Sequence, residues 1–290
     1  MNLYGKLSYF TDRASFSLIV NFFPPFFSTD LQLQQEFSVI TNVKRELRTS
    51  QKHKSMKTKL VTAIFIVFTL FSINVLAEEQ SRKVDAFSEI SLRISAKVHL
   101  EQGDKQNLEI VAKPSTLEQI ITEVKDGKLI IRFPNKDFFW KTFQPGEIII
   151  YITTPEIKGL GVSGSGDIIA EGSIKTSAID LGISGSGNIK LMELTAARVK
   201  STISGSGDII LAGKEAAQDL SIVISGSGSL KAMDYKADDV SVKVSGSGNV
   251  DIEAVKNLYI RVAGSGNVTY KGRPLIDQSI AGSGKVRSAR

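Results

Sequence analysis

The stretch Ile179-Asp180-Leu181-Gly182-Ile183-Ser184-Gly185-Ser186-Gly187-Asn188-Ile189-Lys190-Leu191 decides the fold. Its odd positions are apolar or glycine and its even positions are polar or small, the period of two that marks a strand with one buried face. The phrase at its centre returns along the chain. Ser-Gly-Ser-Gly begins at Ser163, Ser184, Ser204, Ser225 and Ser245, and Ala-Gly-Ser-Gly at Ala263 and Ala281, in steps of 21, 20, 21, 20, 18 and 18 residues. A period near 20 residues is the mark of a solenoid, in which no repeat buries its apolar face alone and stacking makes the core continuous. The expected fold is therefore all-β, a parallel β-helix of about seven short rungs over residues 156–290. Both phrase glycines are expected in the inward register, where a missing Cβ lets the strand bend and the opposite wall approach. A second segment such as 193–197 would fold each rung back.

The glycines do not read as a nucleotide loop. Gly164-Ser165-Gly166 lacks the third glycine of a dinucleotide fingerprint and runs into a strand, and Gly213-Lys214 is followed by Glu215. No Gly-x-Ser-x-Gly elbow surrounds the serines.

Upstream of the repeats the composition changes twice. Met56-Lys57-Thr58-Lys59, the apolar run 60–71 and a small-residue end at Val75 and Ala77 have the layout of a secretory signal peptide, with cleavage after Ala77. The run is short for a membrane span, so no transmembrane segment is expected in the remaining chain. Residues 1–55 precede that complete signal and show no periodicity; they read as a start assigned too early or an unstructured leader. Residues 1–77 carry 9 of the 36 basic and 4 of the 30 acidic side chains, leaving 27 against 26. The basic balance of the full chain is mostly a property of the leader, and nothing points to nucleic acid. The chain contains no cysteine, which excludes disulfide scaffolds, thiolate metal sites and a thiol nucleophile.

Residues 78–155 read as an N-terminal β segment and cap. Residues 90–100 alternate as one long strand, Ser115-Thr116-Leu117-Glu118 has the pattern of a capping box, and Asp126-Gly127 marks a hairpin. The loop 134–146 gathers Phe138, Phe139, Trp140 and Phe143, with the only tryptophan of the chain. These four are the candidate recognition residues, a stacking platform for sugar or a contact for a protein partner. The competing reading is a lid over the open end of the solenoid.

Chemistry is hard to find. His99, the only histidine after the leader, should point outward from its strand with no nucleophile beside it. Asp167, Asn188, Asp208, Ser229, Asn249, Asn267 and Lys285 follow successive phrases and would stack in one column. Two aspartates separated by an asparagine rung, with a lysine at the end, suit turn and ladder hydrogen bonds better than calcium. The serines 165, 186, 206, 227, 247, 265 and 283 form a second column, read as satisfying backbone groups at the bend or as a hydroxyl row for a flat polysaccharide. No catalytic residue, metal site or cofactor site is assigned.

Several segments resemble the putative auto-transporter adhesin, head GIN domain family: residues 87–90 (Phe-Ser-Glu-Ile), 98–103 (Val-His-Leu-Glu-Gln-Gly), 124–131, the repeated Gly-Ser-Gly-Asp/Asn, and 268–274. The resemblance covers about Val84 to Val286. It implies a secreted β-helical protein with no established enzyme activity, so no catalytic residue is carried over. The expected function is non-enzymatic: adhesin-like contact with envelope polysaccharide or a surface protein, in the periplasm, at the outer-membrane surface or outside the cell. The alternatives are a carbohydrate-active β-helix, a lyase or hydrolase favoured by Lys or Arg and Asp converging on one groove, and a periplasmic scaffold without a ligand. Exposed strand edges at the solenoid ends would permit end-to-end association.

Overall fold

The computed structural model describes residues 77–134 and 143–289. They form a parallel β-solenoid of about six turns, with 17 strands in one continuous hydrogen-bonded ladder. The repeats run through β8 (Gly159–Gly164), β9 (Asp167–Gly185), β10 (Asn188–Gly205), β11 (Asp208–Ala212), β12 (Ala217–Gly226), β13 (Ser229–Gly246), β14 (Asn249–Gly264), β15 (Asn267–Lys271), β16 (Leu275–Gly282) and β17 (Lys285–Ser288). The residues before each phrase stack as a first face, from Ser163↔Ser184 to Ala263↔Ala281. The residues after each phrase stack as a second face, from Asp167↔Asn188 to Asn267↔Lys285. A short third segment closes the rung, Glu193↔Ser173 to Ala196↔Thr176, with Leu194 buried.

The inward columns are the core. Val162, Ile183, Ile203, Ile224, Val244 and Val262 lie one above another and are all buried. Each such side chain contributes about 1.5–3 kcal/mol when taken from water. Because a neighbour on each side is needed for that burial, the stabilisation belongs to the stack and not to a rung.

The bend differs from the expectation in one respect. The two phrase glycines do separate jobs. Gly205 has φ 127°, a left-handed backbone that turns the chain from the first face to the second. Gly207 is the buried one: a Cβ there would collide with the carbonyl oxygen of Gly187 and lie 2.7 Å from Cγ2 of Ile183. The ladder continues through the corner, since the N–H groups of Ser206 and Gly207 both donate to the Gly185 carbonyl, at 2.8 and 3.1 Å.

The N-terminal segment joins the same ladder. The alternating stretch 90–100 is two strands, β2 (Glu89–Leu92) and β3 (Lys97–Gln102), with residues 93–96 bending where later rungs carry the phrase. It lacks the glycines that announce the other corners, so its alternation reads as one strand. β2 pairs with β8 and β3 with β9, both parallel. From β3 the chain leaves through β4 (Asn107–Ala112), the single-turn helix α1 (Pro114–Leu117), β5 (Ile121–Lys125), β6 (Lys128–Arg132) and β7 (Ile149–Thr154). β6 pairs with the free side of β2 and β7 with that of β3. The outermost rung is therefore built from later sequence than the rung it covers. Antiparallel β5 flanks β6, and antiparallel β4 flanks β7. Strand β1 (Glu78–Ser81) is antiparallel to β4.

The hairpin turns at Asp126 and Gly127, φ 51° and 72°, as Asp-Gly predicts. The capping box does not form. Lys113 occupies the N-cap with no side-chain bond, and Thr116 Oγ1 donates instead to the Pro145 carbonyl, at 2.8 Å. Pro114 at the first turn sets the helix start two residues before the position the box would require. Leu117, Ile120, Phe87 and Phe133 are buried at this end of the stack.

Candidate functional site

Of the four aromatic candidates, Phe138, Phe139 and Trp140 lie outside the described residues. Phe143 is half-buried against the core, with its ring edge-on to Phe133 at 5.3 Å. His99 is on the outer side of β3 and stacks on Tyr151, ring centroids 5.3 Å apart and planes at 20°.

The polar column after the phrases is a hydrogen-bond ladder over part of its length. Asn188 Nδ2 donates to Asp167 Oδ1 at 2.6 Å, and the Asn188 backbone N–H reaches the same oxygen at 3.1 Å. Asn267 Nδ2 donates to Asn249 Oδ1 at 3.1 Å, and Lys231 Nζ sits 2.9 Å from Asp208 Oδ2. Among the described residues no cluster of three or more His, Asp or Glu side chains is arranged to hold a metal ion. The serine column behaves differently from its expected role. The backbone N–H of Ser186, Ser206, Ser227, Ser247 and Ser265 meets the neighbouring rung. Their hydroxyls are exposed and make no hydrogen bond among the described residues.

The first face carries a feature that spacing did not reveal. On its outer side Gly159, Gly161 and Gly182 floor a shallow trough of about 300 Å³. A Cβ at Gly182 would meet nothing within 4 Å, and one at Gly161 only the Ile90 carbonyl at 3.6 Å. Neither has a left-handed backbone. Glycine weakens a strand, and neither steric crowding nor backbone conformation requires it here. Its effect is to lower the surface, so that another chain can approach the sheet. Arg93, Lys128 and Lys200 line the trough together with Glu89, Asp180 and Thr202. Lys128 is held 2.9 Å from Glu89. Ser163 and Ser184 continue the outward row beside Gly161 and Gly182.

A second groove, of about 380 Å³, lies farther along the same face. Val223, Ala263 and Ala281 line it with Lys243 and Arg261. Arg261 is engaged by Asp277, 2.9 Å away, which holds that carboxyl below its ordinary range. Glu123 is likewise held low, by Arg132 first and then Lys125. A general acid in sugar cleavage needs the opposite displacement.

A parallel β-solenoid built from stacked rungs of about 20 residues defines the chain as a repeat protein. The chain belongs to the putative auto-transporter adhesin, head GIN domain family, whose model matches residues 86–274. Three solved structures share the fold. A putative adhesin from Bacteroides fragilis is 26% identical, with 73% of this chain and 97% of that one covered and a TM-score of 0.69. A putative lipid binding protein from Parabacteroides distasonis is 27% identical, with 75% and 98% covered and a TM-score of 0.63. A putative adhesin from Parabacteroides merdae, at 22% identity, 75% and 98% coverage and a TM-score of 0.61, shares the fold alone. None of the curated proteins matches this chain. Among the described residues no helix is long and apolar enough to cross a membrane.

Proposed function

We propose that this protein is exported and acts as a non-enzymatic contact module of the cell envelope or surface, with an extended polysaccharide lying along the glycine-floored trough of the first face. The observation that carries this reading is the outward pair Gly161 and Gly182, which leaves the sheet bare where a side chain would fit without strain. A polysaccharide needs a long shallow bed with polar groups at its edges. Arg93, Lys200, Asp180 and Thr202 supply those groups, and the serine row supplies exposed hydroxyls. The loop aromatics Phe138, Phe139 and Trp140 are a second contact in this proposal. The family membership supports adhesion as the class of function.

Cations and carboxylates do converge on the trough, which favours polysaccharide cleavage as the second reading. Lys128 is already committed to Glu89, which weakens it. The experiment is a binding screen of the exported protein against envelope and extracellular polysaccharides, with chain length of each glycan followed over time. Wild-type binding that Gly182→Gln and Lys200→Ala each reduce at least tenfold, with glycan length unchanged, is the expected result. Shortened glycan supports the cleavage reading. Binding unaffected by both variants but lost in Trp140→Ala moves the contact to the loop. The relative described as lipid binding makes anionic vesicles the fourth arm, read through the Val223 groove.

A further inference from the structure

The two ends of the solenoid are finished differently. At the N-terminal end Leu117, Ile120, Phe87 and Phe133 close the core. At the other end the last rung is bare. All eight residues of β16 are exposed, including Ile276 and Ile280 at 41% and 37%. Their partners one rung earlier, Leu258 and Val262, are 0% and 3% exposed. Ile276 and Ile280 continue columns whose members from Ile179 to Leu258 and from Ile183 to Val262 are core residues. The outer backbone edges of β16 and β17 have no partner among the described residues.

Strand direction narrows what can cover this end. On the second face every strand from β7 to β17 runs the same way. β4 reverses and β1 reverses again, so β1 runs in the same direction as β17. Two copies stacked in the same orientation would place β1 of one beside β17 of the other in parallel, the pairing the ladder already uses. Two copies related by a twofold axis would instead set β17 against itself and bring Lys285 and Arg287 against their own counterparts.

Charge points the same way. β17 presents Lys285 and Arg287, and β1 presents Glu78 and Glu79, with Glu79 on the outer face opposite Val111. None of the four is in an ion pair among the described residues, whereas Asp277 of β16 and Glu123 of β5 are already engaged by Arg261 and Arg132. The N-terminal end also offers a hollow of about 360 Å³ between residues 83–85 and β5, with Val84 and Val124 in its wall. Lys83 and Asp85 at the same hollow offset each other.

We infer that the occupant of the open end is a second copy of this chain, docked head to tail, with β17 of one copy parallel to β1 of the next and β16 antiparallel to β5. Such a contact uses two different surfaces, does not close on itself, and extends into filaments. It stacks the polysaccharide troughs of successive copies along one side. Lys and Arg on an edge strand are also the device by which proteins keep such edges apart, and the two roles make opposite predictions.

The test is sedimentation velocity on the protein purified from an exporting host, its N-terminus read by mass spectrometry, across concentration and at low and high salt. The expected result is mass that rises with concentration past the dimer, and that falls in high salt because exposed charges are screened. Glu78→Lys with Glu79→Lys should abolish growth, as should Lys285→Glu with Arg287→Glu. Mixing these two variants should restore it, because each then meets a complementary end. Circular dichroism of each variant separates lost assembly from lost folding. A monomer at every concentration overturns the proposal. So does a species that stops at two, or growth that both charge reversals leave intact.

Discussion

The hydroxyl of Tyr235 donates to the carbonyl of Ala196 across 3.3 Å, in the interior of the solenoid where Tyr235 has no exposed surface. Gly213 makes room for it: a Cβ there would sit 3.0 Å from the tyrosine ring. Burial pushes the phenol up to about 12. The unfolded chain ionises near the ordinary value of 10 while the folded chain keeps its proton. The contribution to stability is therefore complete below pH 10 and is lost as pH rises through 12. Urea unfolding midpoints should fall across that window in the wild type and fall less in Tyr235→Phe. At pH 7 that variant should cost about 1 kcal/mol for the lost bond.

Ser201 breaks the inward pattern. It stacks between Leu181 and Ile222, is fully buried, and its hydroxyl has no hydrogen-bond partner among the described residues. A buried unsatisfied hydroxyl costs roughly 1–3 kcal/mol. Ser201→Ala should raise stability by about 1 kcal/mol, seen as a higher denaturation midpoint at unchanged slope. A fall in the midpoint would mean that the hydroxyl is satisfied.

Two glycine substitutions should move stability in opposite directions. Gly207→Ala forces a methyl onto the Gly187 carbonyl and Ile183, an overpacking that should cost on the order of 3 kcal/mol. Gly182→Val places a branched side chain on an open strand surface and should stabilise by up to about 1 kcal/mol. Thermal melts of both variants check this pair.

The same Gly182→Val variant should bind polysaccharide at least tenfold more weakly, because its side chain fills the trough floor. A more stable protein that binds less would tie those glycines to contact with a ligand. Unchanged binding, measured by glycan array or affinity electrophoresis, would remove the trough from the proposal.

The repeat architecture was legible because its cause is local. Alternation buries one side of every strand, and a phrase with glycine at each corner repeats the bend, so spacing alone predicts stacking. The hairpin at Asp126-Gly127 was legible for the same reason. The corner at residues 93–96 was not, since Ile94 and Ala96 keep the alternation going and no glycine marks the turn. The separate tasks of Gly205 and Gly207 were also hidden: backbone φ and contact with the previous rung distinguish them, and both depend on the neighbour.

The site is the part that only tertiary structure could decide. Gly161 and Gly182 are 21 residues apart, and they become adjacent only when rungs align. Arg93, Lys128 and Lys200 come from three segments whose order in space differs from their order in sequence, because β6 returns to cover β2. The sequence by itself determined which side of each strand faces the core, since burial of alternate residues is a property of the strand. Which outward residues meet, and which end of the stack stays bare, depended on register and on the path of the N-terminal segment. Those are settled by pairing between distant strands.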